Sequence, residues 1–524
     1  MFESARVDTL WELVEYRARA SRGAPMFFDA QGRTATFDEV RDQACQVAAG
    51  LRDLGIGPRT RVAWQLPSRV GTVVVSLALA RIGAVQIPVI PQHRAREVGF
   101  ILAESGAEWV LVPGVWRGFD HTAMVRALAG DGVRVLPVGE RLPVGDPAGL
   151  PEPVPGGDGD TTWIYYTSGT TAAPKGVEHT DATLIAGGVG LATALGMSPD
   201  DIGSIAFPYA HIAGPDYVIA MLVSGFPAVV LESFEPGRAA EVYRRHGVTM
   251  AGGSTAFYQA FLDESRRLRQ GTPQAGPLIP SLRLLSGGGA PLPPELYRAA
   301  GRELGCAIVH GYGMTECPMI AMGAPYDSDE QLARTVGRPV AGARVRIARP
   351  DGSEAAAGES GEVTLQGPML FRRYTDPALT AEAFDTEGYF RTGDLGTVRP
   401  DGHLVLTGRL KDIIIRKGEN ISAQEIEDLV HTHPAVAQAA VIGLPDRERG
   451  ERVCAVVVPA DPAAPPLTLD ALTAHLRAAG LMVQKLPEQL EITGELPRGG
   501  PLEKVLKAAL RERYAPPPTQ RYTE

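Results

Sequence analysis

A chain of 524 residues, 44% hydrophobic and 21% charged, is too long for one ordinary domain and too apolar to be disordered. Its formal charge of -10, from 51 basic and 61 acidic residues, gives no reason to expect nucleic acid. Cys45, Cys306, Cys317 and Cys454 are too scattered for a disulfide framework or a metal cluster, which points to a reducing compartment and a cytoplasmic enzyme. No cleavable leader is expected at the N-terminus. The most apolar stretch, residues 70–89, is interrupted by Arg81 and Gly83 and reads as a buried helix and strand, so stable membrane insertion is not expected.

Along the chain, hydrophobic periodicity predicts a helix over 38–54, a strand over 61–64, a helix over 69–82 and a strand over 85–88. The step repeats with a helix over 95–105 and a strand over 109–112, the rhythm of a largely parallel sheet covered by helices. Residues 137–160, rich in Pro, Gly and Asp, read as an exposed connection into a strand over 163–166. A second α/β section follows, with strands over 228–231 and 282–285 and helices over 239–245 and 257–268. Beyond Gly337 come hairpins, over 344–347 and 362–365, and over 396–398 and 403–407 around Asp401-Gly402. A smaller domain is predicted to start after Gly408. In it, Ser422 and Glu425 form a capping box for a helix over 423–429. Strands over 436–442 and 452–458 and a helix over 469–479 complete it, and residues from Pro516 onward read as a frayed tail. The fold class is α/β, with a large multi-subdomain N-terminal region of mixed sheets over 1–408 and a small mobile α+β domain over 409–524.

Four strings carry chemistry. Thr167, Ser168, Gly169, Thr170 and Thr171, followed by Lys175, combine hydroxyls, free backbone N–H groups and a cation that together suit phosphate oxygens. The spacing is not that of a P-loop. Gly311, Tyr312, Gly313, Met314, Thr315 and Glu316 offer a ring to stack on a purine, a hydroxyl for a phosphate and a carboxylate for Mg²⁺. Asp394, in a Thr-Gly-Asp turn, suits the two hydroxyls of a ribose. Near the end, Leu496-Pro497-Arg498 precedes Lys504 and Lys507. Each string alone also fits a polar turn, core residues or a solvated charge.

In this order, with Gly287, Gly288, Gly289, Ala290 and Pro291 upstream of Tyr312, the strings resemble those of the adenylate-forming superfamily, which includes acyl-CoA synthetases, carrier-protein adenylation domains and firefly-type luciferases. The resemblance spans nearly the whole chain. It implies that the loop after Thr167 holds the β- and γ-phosphates of ATP, and that Gly288 to Pro291 border adenine. It also implies that Arg409 contacts the nucleotide, Lys411 is a hinge, Lys417 and Gly418 border a pantetheine channel, and Lys504 is the catalytic lysine. Thr315, Glu316, Arg409 and Lys175 share the catalysis, and Glu316 holds the metal. Two departures stand out: Ala172 replaces a customary glycine, and residues 499–503 form a loop one residue longer than usual, with Glu503 in place of a glycine.

Phe207, His211 and Ile212 resemble the family's aromatic and histidine loop at the acyl site, His211 either gating the pocket, contacting the carboxylate or capping its own loop. Gly287, Gly313 and Met314 are expected beside it, with Gly287, Gly288 and Gly289 leaving room for a ring or chain. No amino-group anchor is apparent over residues 205–217. The resemblance therefore implies an ATP-dependent acid:CoA ligase for a medium-chain fatty, alicyclic or aryl acid, with ATP, Mg²⁺ and coenzyme A as cofactors. A small carboxylic acid and CoA are the expected partners, and a homodimer is the assembly to test for. Transfer to a separate carrier protein, a luciferase-like oxygenase and a non-catalytic nucleotide-binding module are the rival readings.

Overall fold

Short β-branched runs alternating with amphipathic helices build the first sheet. A computed structural model describes residues 7–139, 141–154, 160–167, 174–271, 276–416, 419–446, 449–499 and 504–515. Arg61–Trp64, Val85–Pro88 and Trp109–Val112 pair in parallel at the centre of a seven-stranded sheet, flanked by Trp163–Thr167 on one side and Arg134–Pro137 on the other. Lys175–His179 turns back antiparallel beside Trp163–Thr167, and the two-residue strand Arg373–Tyr374 closes that edge. The helices Phe37–Asp53, Val70–Arg81 and Ala95–Ser105 follow the periodicity closely. Two threonines, Thr9 and Thr36, close capping boxes with Glu12 and Glu39 and so fix where their helices start.

A second sheet runs Met250–Gly253, Leu284–Gly288 and Ala307–Met314 in parallel, then folds back antiparallel through Cys317–Met322 and Arg338–Pro339. The strand expected over 282–285 lies two residues further on. Glycines 287 and 288 have little strand propensity of their own, but parallel neighbours extend the strand through them, on both sides at Gly287 and on one at Gly288. Phe390–Val398 and Leu404–Arg409 form the hairpin expected around Gly402, whose φ of 83° suits a residue without a Cβ. Among the described residues no helix is long and apolar enough to cross a membrane.

From Ile414 onward the chain builds apolar cores of its own, around Ile426, Val441, Val453 and Val457 in one and Leu510 in the other. Ser422 accepts from the Glu425 N–H at 3.3 Å and caps the helix Ala423–Val430, but the expected capping box is only half made. The Glu425 carboxylate instead takes Lys485 Nζ at 2.6 Å, a stronger charged partner than a backbone N–H. Lys507, the first residue of the helix Lys507–Tyr514, reaches the buried Glu427 at 2.7 Å, and Val441 N–H donates to the same carboxylate at 2.6 Å. Burial pushes the pKa of Glu427 up, with Lys507 opposing. On the next turn Arg511 pairs with Asp412 at 2.9 Å, so this helix is tied to the segment that follows Arg409.

Lys507→Met strands a buried carboxylate and should lower the stability of this part of the chain by about 3 kcal/mol. Adding Glu427→Gln, whose amide oxygen still accepts from Val441, should restore most of the loss. Calorimetric unfolding of both variants checks this; equal melting of Lys507→Met and the unsubstituted protein would rule out the pairing as a stabilising contact.

Candidate active site

Strand pairing brings the separated motifs to one cleft. Lys175 sits opposite Thr167 in the antiparallel register. Ser168, Gly169, Thr170 and Thr171, and likewise Lys417 and Gly418, lie outside the described residues. The Lys175 ammonium stands 5.0 Å from the ring centre of Tyr374, and Tyr374 Oη donates to Glu316 Oε1 at 2.7 Å. Tyr374 thus holds the phosphate-loop cation and the metal-ligand candidate together. No local signal marks it, because its place follows from sheet pairing opposite Val177.

Thr315 and Glu316 occupy the turn between Ala307–Met314 and Cys317–Met322. Fully buried His179 donates from Nε2 to the Thr315 carbonyl at 2.7 Å, while its Nδ1 meets Thr183 Oγ1 at 2.9 Å. Burial pulls the pKa of His179 down to about 4, so a neutral ring pins the turn. Met314 faces Cys317 across this turn, and Gly313 is obligatory because a Cβ there would collide with the Pro318 carbonyl.

Asp394 is buried beside Tyr312, whose Oη donates to Oδ2 at 2.6 Å. Arg409 stands opposite Asp394 in the hairpin register and its Nε pairs with Oδ1 at 2.8 Å. Burial, then Asp394, raises the Tyr312 pKa well above its ordinary value, so the phenol stays a donor. Both carboxylate oxygens therefore have protein partners already, and each retains a lone pair for a ribose hydroxyl.

The Gly-rich string does not leave the room expected of it. A Cβ on Gly287 would come within 2.6 Å of the Gly253 carbonyl and 2.7 Å of Tyr258 Oη, and one on Gly288 within 2.7 Å of the Gly311 carbonyl. At these two positions neighbouring strands fill the space, so glycine answers close packing rather than a ring or chain. Gly289 turns with φ 80° into Ala290, whose carbonyl accepts from His310 Nε2 at 2.8 Å, and Pro291 leads away from the strand.

At the loop expected to line the acyl site, Ser68 Oγ donates to the Phe207 carbonyl at 2.9 Å and accepts from Tyr209 N–H at 2.8 Å, which fixes the loop. Phe207 and Ile212 are buried. His211 Nδ1 accepts from Ala213 N–H at 3.2 Å, so the ring caps its own loop and leaves Nε2 for the cleft. Burial first, and then the charge of Lys504, lowers the His211 pKa to about 4.

Lys504 lies on a short hairpin strand paired with Arg498–Gly499. Its side chain still meets water, but protein crowds the cleft around its amine. That crowding, then Arg409 and Lys411, pulls its pKa down to about 8 against the opposing charges of Asp394 and Glu316. Burial likewise lowers the pKa of Lys411. The structure thus brings Asp394, Arg409, Lys411, Glu316 and His211 within electrostatic reach of Lys504. Among the described residues no group of three or more His, Cys, Asp or Glu is placed to hold a metal. Glu316 fits a Mg²⁺ ion whose other ligands are phosphates and water, the usual arrangement for that cation.

The chain is similar to proteins of known activity. The chain matches the AMP-binding enzyme family over residues 14–375 and the AMP-binding enzyme C-terminal domain over residues 425–517. It is 34% identical over 494 residues to the salicyl-AMP ligase / salicyl-S-ArCP synthetase of Mycobacterium tuberculosis, covering 91% of this chain and 84% of that protein. A feruloyl-CoA synthase of an Amycolatopsis species is 34% identical over 488 residues, 92% of this chain and 94% of its own. ATP-bound MatB from Rhodopseudomonas palustris superposes with a TM-score of 0.86 at 28% identity, covering 96% of this chain and 99% of that one. The chain belongs to the AMP-binding enzyme family. It is an AMP-forming ligase that uses ATP to activate a carboxylic acid as its acyl-adenylate.

Since the Lys504 ammonium persists only below about pH 8, a step that needs its charge slows as pH rises through that value. Acyl-adenylate formation should fall about tenfold per pH unit above it. Lys504→Arg, charged throughout, should flatten the decline at whatever rate it retains. Parallel pH–rate profiles of the two proteins check this; identical declines would place the titration elsewhere.

Proposed function

We propose that the enzyme activates an aryl acid and passes its acyl group to coenzyme A. The observation that carries the reading is the position of Lys504, whose hairpin brings its amine to Asp394, Arg409 and Glu316. Salicyl and feruloyl groups, named in the two relatives, are both ring acids. Buried Phe207 and Ile212 offer an apolar wall of the kind such a ring needs.

In the first half-reaction the acid carboxylate attacks the ATP α-phosphorus and pyrophosphate leaves. Asp394 and Arg409 orient the nucleotide, with Tyr312 holding Asp394. Thr315, pinned by His179, contributes a hydroxyl to the α-phosphate, and Lys504 and Lys175 stabilise negative charge that shifts between carboxylate and phosphates. Thr167 to Thr171 cradle the leaving phosphates. Mg²⁺, with Glu316 as its protein ligand, supplies charge neutralisation when bound. Gly288, Gly289, Ala290 and Pro291 flank the adenine. His211, through its free Nε2, meets the acid's carboxylate.

In the second half-reaction the CoA thiol attacks the activated carbonyl and AMP leaves. Lys504 occupies the ground a thiol must cross, so residues 409–524 turn as a unit about Lys411 and withdraw it. The tie between Arg511 and Asp412 carries the Lys504 end of the chain along with the segment after the hinge. Lys417 and Gly418 then border the pantetheine channel.

With benzoate, cyclohexanecarboxylate and medium-chain acids as a panel, pyrophosphate release should depend on an aryl acid. Mass detection should find the matching acyl-CoA when CoA is supplied. Adenylate that reacts with a purified carrier protein and not with CoA would replace the acceptor. Lys504→Ala should slow adenylation roughly 10²–10³-fold, yet convert synthetic acyl-adenylate to acyl-CoA near the normal rate. Equal loss in both halves would show that Lys504 does not leave the cleft between them.

A further inference from the structure

Six carboxylates are buried in the described chain: Glu178, Asp181, Asp201, Asp216, Asp394 and Glu427. Five have donors. Glu178 takes Thr161 Oγ1 and Arg373, Asp181 takes Trp163 Nε1, Asp201 takes Arg283, Asp394 takes Tyr312 and Arg409, and Glu427 takes Lys507. Asp216, only 2% exposed, is the exception, and its Oδ1 has no hydrogen-bond partner. Burial alone acts on its pKa, which rises to about 8. A buried polar atom left without a partner calls for an explanation, because nothing within the fold recovers its lost hydration.

The position of Asp216 supplies one. It stands on the helix Ala213–Ser224, four residues after Ile212, so the two side chains leave the same face one turn apart, about 6 Å along the axis. That face begins at the loop of Phe207, His211 and Ile212, whose histidine feels the charge of Lys504. A Cβ on Gly187 would lie 2.7 Å from Asp216 Oδ1 and 3.0 Å from Pro318 Cγ, which places the carboxyl between the helix Asp181–Leu195 and the strand that leaves Glu316. A second orphan shares the neighbourhood. Tyr165 Oη, on the strand leading to the phosphate loop, is buried, has no hydrogen-bond partner and feels the charge of Asp216. Two buried polar groups without partners thus feel one another, and one of them stands a helical turn beyond the loop of Phe207, His211 and Ile212.

We propose that Asp216, with Tyr165 beside it, binds a hydrogen-bond-donating hydroxyl or amine carried by the acid at the end remote from its reacting carboxylate. This rests on Phe207, His211 and Ile212 forming the acyl site. It narrows the medium-chain fatty, alicyclic or aryl acid read from the sequence to a hydroxy- or amino-substituted one, and finds an anchor within residues 205–217, where none was apparent. The carboxyl accepts from the substituent, the Tyr165 hydroxyl completes its hydrogen bonding, and an acid lacking the substituent leaves both groups unpaired. Asp216 escaped the sequence reading because it interrupts an apolar helix without any motif around it; a lone acid before the run Tyr217–Val223 was the available signal.

Acid-dependent exchange between ATP and pyrophosphate, measured with matched acids, tests the assignment. The ring pairs are benzoate against 3- and 4-hydroxybenzoate and 3- and 4-aminobenzoate, and the chain pairs are hexanoate against 6-hydroxyhexanoate and 6-aminohexanoate. On whichever skeleton is accepted, a donor-bearing acid should be favoured in kcat/KM on the order of 10²-fold, the scale of one hydrogen bond to a buried partner. Asp216→Leu should reverse that preference, and Asp216→Asn, which still accepts, should keep it for the hydroxy acids. No preference within any pair in the unsubstituted protein overturns the proposal without recourse to a variant, as does a preference that survives Asp216→Leu. Exchange confined to the chain pairs would instead remove the aryl-acid reading while leaving Asp216 to be judged on those pairs, and exchange with no acid of either skeleton overturns both.

Discussion

The carboxylate of Asp394 ties together segments that are far apart in sequence. Tyr312 arrives from the second sheet, Arg409 from the end of the last hairpin before Lys411, and Lys504 from the far end of the chain. An anion this deeply buried needs donors, and it finds them in two different parts of the fold, so the nucleotide cleft and the hinge strand are joined through one charge. Lys504 adds a third link with a different character. Arg409 and Lys411 repel it while Asp394 and Glu316 attract it, so its charge is held by opposing neighbours rather than by one fixed pair.

The surrounding scaffold serves that balance by holding loops with neutral, buried donors. His179 fixes the Thr315 carbonyl, Tyr374 fixes the Glu316 carboxylate, and Ser68 fixes the acyl loop from both sides. None of these carries a charge that would compete with phosphates for the cations of the site. A polar framework without net charge leaves the electrostatics to the few residues that face the reactants.

Asp216 stands apart from this economy. Other buried acids in the described chain are answered by protein donors, and in the proposed role the unanswered carboxyl gives the enzyme discrimination between acids. A purely apolar pocket separates acids by shape, which distinguishes neighbours in a series poorly. A buried acceptor that only the right substituent can satisfy separates them by the penalty of leaving it empty.

Local pattern was enough for the frame. The strands Arg61–Trp64, Val85–Pro88 and Trp109–Val112 and the helix Ala95–Ser105 fall on the residues read from periodicity, because short-range propensity and burial agree there. The strings around Thr167, Tyr312, Asp394 and Lys504, taken in order, likewise pointed to an adenylate-forming enzyme through their resemblance to that family, since each is local in sequence. What the tertiary structure alone decided is everything that depends on residues distant in sequence. Strand pairing, not composition, extended the sheet through Gly287 and Gly288 and gave those glycines to packing. Packing of distant segments also set Tyr374 beside Glu316, His179 under Thr315 and Lys485 against Glu425. The lack of a partner for Asp216 belongs to the same class, because whether a buried carboxyl is satisfied depends on all the chain packed around it.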